Sequence, residues 1–265
     1  MAKSTFFSNS AKLLAVCSGL LLGANLLTFL GALGLGEAVA SWGSKLSNFS
    51  LYAVLIVGFI AFNGEGLGHK RAGNRRHKKK TFYLKLLLIF TFLFRYVKGY
   101  LEFYVCSKPA DTVGGGFGRG LVALLSTCAS YGFVFFVVSL WYLMRDSQSK
   151  KLMAFEGVAF FSGALYNIFK FFNYFTDKYK FDALGELFNS VFSNSDILSV
   201  LCITQFVLNT VMFCVVAAHY SKVAEKEQKE LSSGEKVLVP ARNIYSDKKF
   251  GIDESEDEFL MESPQ

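Results

Sequence analysis

Four windows of this chain contain no charged residue at all: Leu13–Gly36, Leu46–Gly64, Gly120–Met144 and Ile197–Ala218. A helix needs roughly 20 apolar residues to cross about 30 Å of hydrocarbon, where backbone polar groups must be bonded internally. Each window meets that requirement. Two further runs, Thr81–Val105 and Ala154–Phe175, meet it once their internal charges find partners. Charged residues make up 18% of the chain, against about 25% in soluble domains. The expectation is an all-α polytopic membrane protein. Its six transmembrane helices lie at about 13–35, 46–64, 81–105, 120–144, 154–175 and 197–218, within a bundle covering 13–220. Lys3 and Lys12 precede the first run and Ala38-Val39-Ala40 resembles a processing site. A secretory apolar core is 7–15 residues, however, so this longer run reads as a retained first span.

Charge sets the orientation. The segment 65–80 holds seven Lys/Arg: Lys70, Arg71, Arg75, Arg76, Lys78, Lys79 and Lys80. Basic residues near span ends resist translocation, which places this loop in the cytosol. Its role is orienting rather than nucleic-acid binding, with anionic lipid head groups as a natural contact. Alternation then puts the N-terminus (1–12), the 145–152 loop and the tail (221–265) on the same cytosolic side. The glycine-rich stretch Asp111–Gly120 falls on the opposite, lumenal side. It lacks the Lys of a phosphate loop and follows Pro109, so it reads as a flexible hairpin between spans three and four. The sequon Asn48-Phe49-Ser50 abuts span two, which makes glycosylation there sterically doubtful.

Several polar residues lie inside the spans. Arg95, Lys98 and Glu102 share one helical face by their spacing of three and four, and Lys98 can pair with Glu102. Asn167 and Lys170 do the same near the end of span five, and Gln205 and Asn209 in span six. Such residues usually face the bundle interior. Were spans three, five and six neighbours, Arg95, Lys98 and Lys170 would form an electropositive cluster in the lumenal half. In span one, Gly19 and Gly23 form a Gly-x-x-x-Gly pair suited to close helix packing within the bundle or to homo-oligomerisation. The loop 177–196 carries apolar residues at helical spacing and reads as an amphipathic helix on the lumenal surface.

The chemistry is sparse. Cys17, Cys128, Cys202 and Cys214 lie in apolar runs, where cysteine behaves as a small hydrophobe. No Cys/His spacing suits a metal, and the three His lie outside the span interiors. No enzyme, metal or cofactor is expected. None of the three prolines lies in a span, so unbroken helices are expected. From Ser221 the tail has seven basic and eleven acidic residues. Residues 221–231 continue span six as a solvated helix ending near Gly234, and beyond Pro240 the composition is that of a disordered segment. Glu256, Leu260 and Met261 are arranged like an acidic dileucine sorting signal.

Six spans, cytosolic ends, short lumenal loops, a basic second loop and a charged tail resemble the layout of one family. It is similar to the glideosome-associated multiple-membrane-span proteins of apicomplexan parasites, which tie flattened membrane sacs to the cytoskeleton. The resemblance implies a membrane scaffold whose basic loop (Lys70 to Lys80) and tail hold cytosolic protein partners. The residues also leave open a small-anion or lipid channel or carrier, or an accessory subunit of a membrane complex. The expected location is a eukaryotic endomembrane or the plasma membrane.

Overall fold

The computed structural model describes residues 3–31, 34, 36–71, 75–106, 113–145, 149–179, 190–191 and 195–232. Seven long helices account for nearly all of them: α1 (Lys3–Leu30), α2 (Glu37–Arg71), α3 (Arg75–Cys106), α4 (Val113–Cys128), α5 (Tyr131–Arg145), α6 (Lys150–Tyr179) and α7 (Ser195–Ser232). No strand occurs among the described residues. The chain divides into Met1–Ala224, which holds the bundle, and Glu225–Gln265. The helical part of the second unit carries an exposed Lys226–Glu230 pair at 3.9 Å.

Four helices are long and apolar enough to cross a membrane, over Ser4–Leu30, Glu37–Glu65, Lys150–Asn173 and Asp196–Glu230. They correspond to expected spans one, two, five and six. Residues 37–45, which lie between the first two apolar windows, are the start of α2, with Glu37 in the first turn where it complements the helix dipole. The basic loop 65–80 is similarly short. α2 runs on to Arg71 and α3 starts at Arg75, so Lys70, Arg71, Arg75, Arg76, Lys78, Lys79 and Lys80 sit on two helix ends.

The expected fourth span is broken. α4 and α5 meet at a 52° bend across Ala129–Ser130 and together make a fifth candidate crossing. Ser130 accounts for the break: its hydroxyl accepts the Phe133 amide at 3.4 Å, capping α5, and donates to the Thr127 carbonyl at 2.7 Å. The expectation of unbroken helices therefore fails here, because a serine cap ends one helix and starts another without proline. The glycine stretch also differs from the expected hairpin: from Val113 onward it is the first half of α4. Ser149 caps α6 in the same way, accepting the Leu152 amide at 3.3 Å.

Small residues set the closest helix approaches, though not those expected. A Cβ on Gly19 or Gly23 would meet nothing within 4 Å, so this pair plays no part in packing the bundle. The α1/α2 hairpin uses Gly31 and Gly43 instead. A Cβ on Gly31 would come within 2.7 Å of Ala40, and one on Gly43 within 2.8 Å of the Ala24 carbonyl oxygen. Gly34 and Gly36, at φ +109° and +106°, supply the left-handed backbone that reverses the chain between the two helices.

α5 is the central helix. Trp141, Tyr142 and Phe135 are fully buried, packed on Phe62 of α2 and on Phe206 and Phe213 of α7. Outward positions are apolar as well: Val16, Ile56, Phe161 and Val200 are all exposed. Helices apolar on every side suit hydrocarbon surroundings better than water. Cross-contacts give each helix its direction. Ser8 bonds the Ala217 carbonyl, and Ser18 bonds that of Phe206. Lys85 pairs with Asn63 and Arg95 with Asn48, while Phe136 stacks on Phe160. The pattern makes successive helices antiparallel, with α4 and α5 counted as one. One end of the bundle therefore gathers Phe7, Glu65, Arg145 and Tyr220; the other gathers Asn25, Asn48, Arg95, Tyr131, Lys170 and Cys202.

Candidate functional site: polar and charged side chains between the helices

The polar residues expected inside the spans divide into two groups. The first joins α5, α6 and α7. Gln205 is buried and donates from Nε2 to the Gly132 carbonyl at 3.2 Å. This approach exists because Gly132 lacks a side chain: a Cβ there would lie 2.2 Å from the Tyr166 ring. Asn209, also buried, accepts the Ser139 hydroxyl at 3.2 Å. Asn167 donates to the Gly163 carbonyl at 2.6 Å and accepts from Ser130 at 3.1 Å. Ser130 thus caps α5 and ties it to α6. The remaining polar atoms, Gln205 Oε1 and Asn209 Nδ2, have no hydrogen-bond partner among the described residues.

The second group is cationic. Arg95 donates from Nε to the Tyr52 hydroxyl at 3.3 Å and from Nη2 to Asn48 Oδ1, with its guanidinium 5.2 Å from the centre of the Tyr52 ring. It is therefore bonded to α2, an arrangement that spacing along α3 alone does not reveal. Asn48, the sequon residue, is a mid-helix partner of this arginine. Lys170 stands over Tyr131 and Tyr166, 5.7 Å from each ring centre. Lys98 is half-buried and makes no hydrogen bond or ion pair among the described residues. Arg95 and Lys98 lie three residues apart on α3, and Lys170 lies on α6. Glu102 lies on α3, but its side chain falls outside the described residues. So do the side chains of Lys70, Arg71, Arg75 and Arg76; Lys78, Lys79 and Lys80 are exposed. Glu256, Leu260 and Met261, residues 180–189 and 192–194 of the expected amphipathic loop 177–196, and the tail beyond Ser232 also lie outside them.

One site escaped sequence reasoning. Arg145 and Glu65 form an ion pair at 3.1 Å, their side chains 17% and 10% exposed. The Arg145 guanidinium also lies 3.4 Å from the centre of the Phe7 ring and 4.6 Å from that of Tyr220, so four helices converge on it. The signal was available: Glu65 is the first charge after one charge-free window and Arg145 the first after another. Glu156 of α6 is fully buried, near Tyr142. Lys85, inside the third apolar run, donates to Asn63 at 2.8 Å.

Chemically the arrangement cross-links helices. Among the described residues no group of three or more His, Cys, Asp or Glu is placed to hold a metal ion. Compared with protein-family models, curated proteins and solved structures, the chain gives no match.

Proposed function

We propose that this chain is a six-crossing membrane scaffold. The end bearing Lys78–Lys80 faces the cytosol, and the basic helix ends and the tail 221–265 engage protein partners there. The observation that carries this reading is where the polar groups inside the bundle go. Asn209 meets Ser139, Asn167 meets Ser130, and Gln205 meets the Gly132 carbonyl, each bond joining two helices around a core closed by aromatic rings. These are the contacts of a fixed bundle.

Two features support counting α3 as the sixth crossing. It has 32 residues, about 48 Å of helix. Two of its internal cations also have partners on α2, Lys85 at Asn63 and Arg95 at Asn48 and Tyr52. The alternating helix directions favour termini on one side, next to the basic segment. The kinship to glideosome-associated multiple-membrane-span proteins is one of layout, and under it the partners are cytoskeletal.

Deleting residues 232–265 is expected to remove cytosolic proteins from a pull-down of the tagged chain while the protein still reaches its membrane. An unchanged set of partners sinks the tail's role. Reporter tags answering from opposite sides of the membrane sink the six crossings.

A further inference from the structure

We propose that the outward face of α3, at the end bearing Lys78, Lys79 and Lys80, holds one anionic phospholipid of the cytosolic leaflet, its phosphate at the lysines and its acyl chains along the helix. The site rests on the scaffold reading in one respect: α3 crosses the membrane with that end at the cytosolic surface.

Helical spacing places the charge and the apolar surface on the same side. Lys79, Tyr83, Leu86, Phe90 and Leu93 follow one another at steps of four and three, so they share one face of α3. Tyr83, Phe90 and Leu93 are exposed on it and Leu86 is half-buried. Thr81, Leu84, Leu88 and Thr91 step by three and four along the opposite face, and all four are buried. Lys78 stands one turn before Phe82, which is 55% exposed.

The lysines have no partner within the protein. Lys78, Lys79 and Lys80 are exposed, and their ammonium groups make no hydrogen bond or ion pair among the described residues. Lys85, turned toward α2, donates to Asn63 instead. The inward lysine is answered by a side chain, and the outward ones meet the surroundings.

Their level fits a head group. Phe82 and Tyr83, with ring centres 6.0 Å apart, lie one turn below the lysines. Outward aromatic rings of this kind belong at a membrane–water boundary. Helical side chains lean toward the N-terminus, so the ammonium groups extend past the rings to the phosphate layer. From Lys79 to Phe90 the helix descends about 16 Å, close to one leaflet of hydrocarbon. A carboxylate of a partner protein answers the charge alone. A phospholipid answers the charge and covers the stripe beneath it, and the cytosolic leaflet supplies anionic ones.

The test uses the full-length chain purified in a maltoside detergent and offered equal amounts of phosphatidylserine and phosphatidylcholine with the same acyl chains. Native mass spectrometry then counts the lipids retained. Phosphatidylserine should be kept preferentially. Lys78→Gln with Lys79→Gln should weaken its retention about 25-fold, at roughly fivefold for each basic residue near a phosphate surface. These side chains have no partner to lose among the described residues, so the fold is kept. Arg at both positions should restore retention, and Lys45→Gln, at the other end of the bundle, should leave it unchanged. Equal retention of the two lipids, indifference to the double Gln variant, or an equal loss from Lys45→Gln overturns the proposal. So does displacement of phosphatidylserine by inorganic phosphate, which would make the occupant a soluble anion. A double Gln variant that loses cytosolic proteins from a pull-down yet keeps its phosphatidylserine also overturns it, and leaves the scaffold reading standing.

Discussion

At one end of the bundle Arg145 lies against Glu65, with Phe7 and Tyr220 stacked on its guanidinium. At the other, Arg95 lies against Asn48 and Tyr52, and Lys170 over Tyr131 and Tyr166. Among the described residues the first arrangement is balanced in charge and the second is not. An arginine with its own carboxylate can be enclosed by four helices. The cations at the other end are held by neutral amide, phenol and ring partners. The two ends thus show two ways of placing a cation in an apolar bundle: against a carboxylate, and against neutral amide, phenol and aromatic partners.

This contrast can be broken experimentally. Glu65→Gln should have the largest effect, since it leaves Arg145 buried without its countercharge. The expected loss is about 3–5 kcal/mol, read as a fall in unfolding midpoint in detergent. Replacing both residues, Glu65→Gln with Arg145→Met, should recover most of that loss. If Glu65→Gln costs no more than a change beside Arg95, the balanced end is not special. At the unbalanced end, Tyr52→Phe removes one hydrogen bond while keeping the ring. A loss of about 1 kcal/mol is expected, and a loss as large as that of Glu65→Gln would erase the distinction. The smallest effect belongs between the ends. Asn209→Leu gives up one bond to Ser139 but also removes an amide nitrogen with no partner among the described residues. Bonds between membrane helices average about 0.6 kcal/mol, so the midpoint should barely move. A large drop would mean that the α5–α7 contact contributes more than the charged ends.

The apolar windows made the helices legible because length and the absence of charge are local properties of a segment. The helix ends were less so. Residues 37–45 look like a loop by composition yet continue α2, because packing against α1 through Gly31 and Gly43 extends the helix beyond its apolar window. Gly19 and Gly23 have the spacing of a packing motif, yet a Cβ added at either would meet no neighbour within 4 Å. A spacing rule says which residues share a face, but not which face meets a neighbour. The break at Ser130 was hidden for a related reason: a serine within an apolar run caps a helix only if its amide partner and the neighbouring helix are in place.

Sequence alone determined that the chain is helical, with segments long and apolar enough to cross a membrane, and it named Arg95, Lys98 and Lys170 as cations that apolar surroundings would not tolerate unattended. Tertiary structure decided their partners. It bonded Arg95 to α2, set Lys170 over Tyr131 and Tyr166, and joined Arg145 to Glu65 across 80 residues of chain. Charge, hydropathy and period belong to a segment and survive its isolation. A partner depends on which helices lie side by side, and that follows from the packing of the whole bundle.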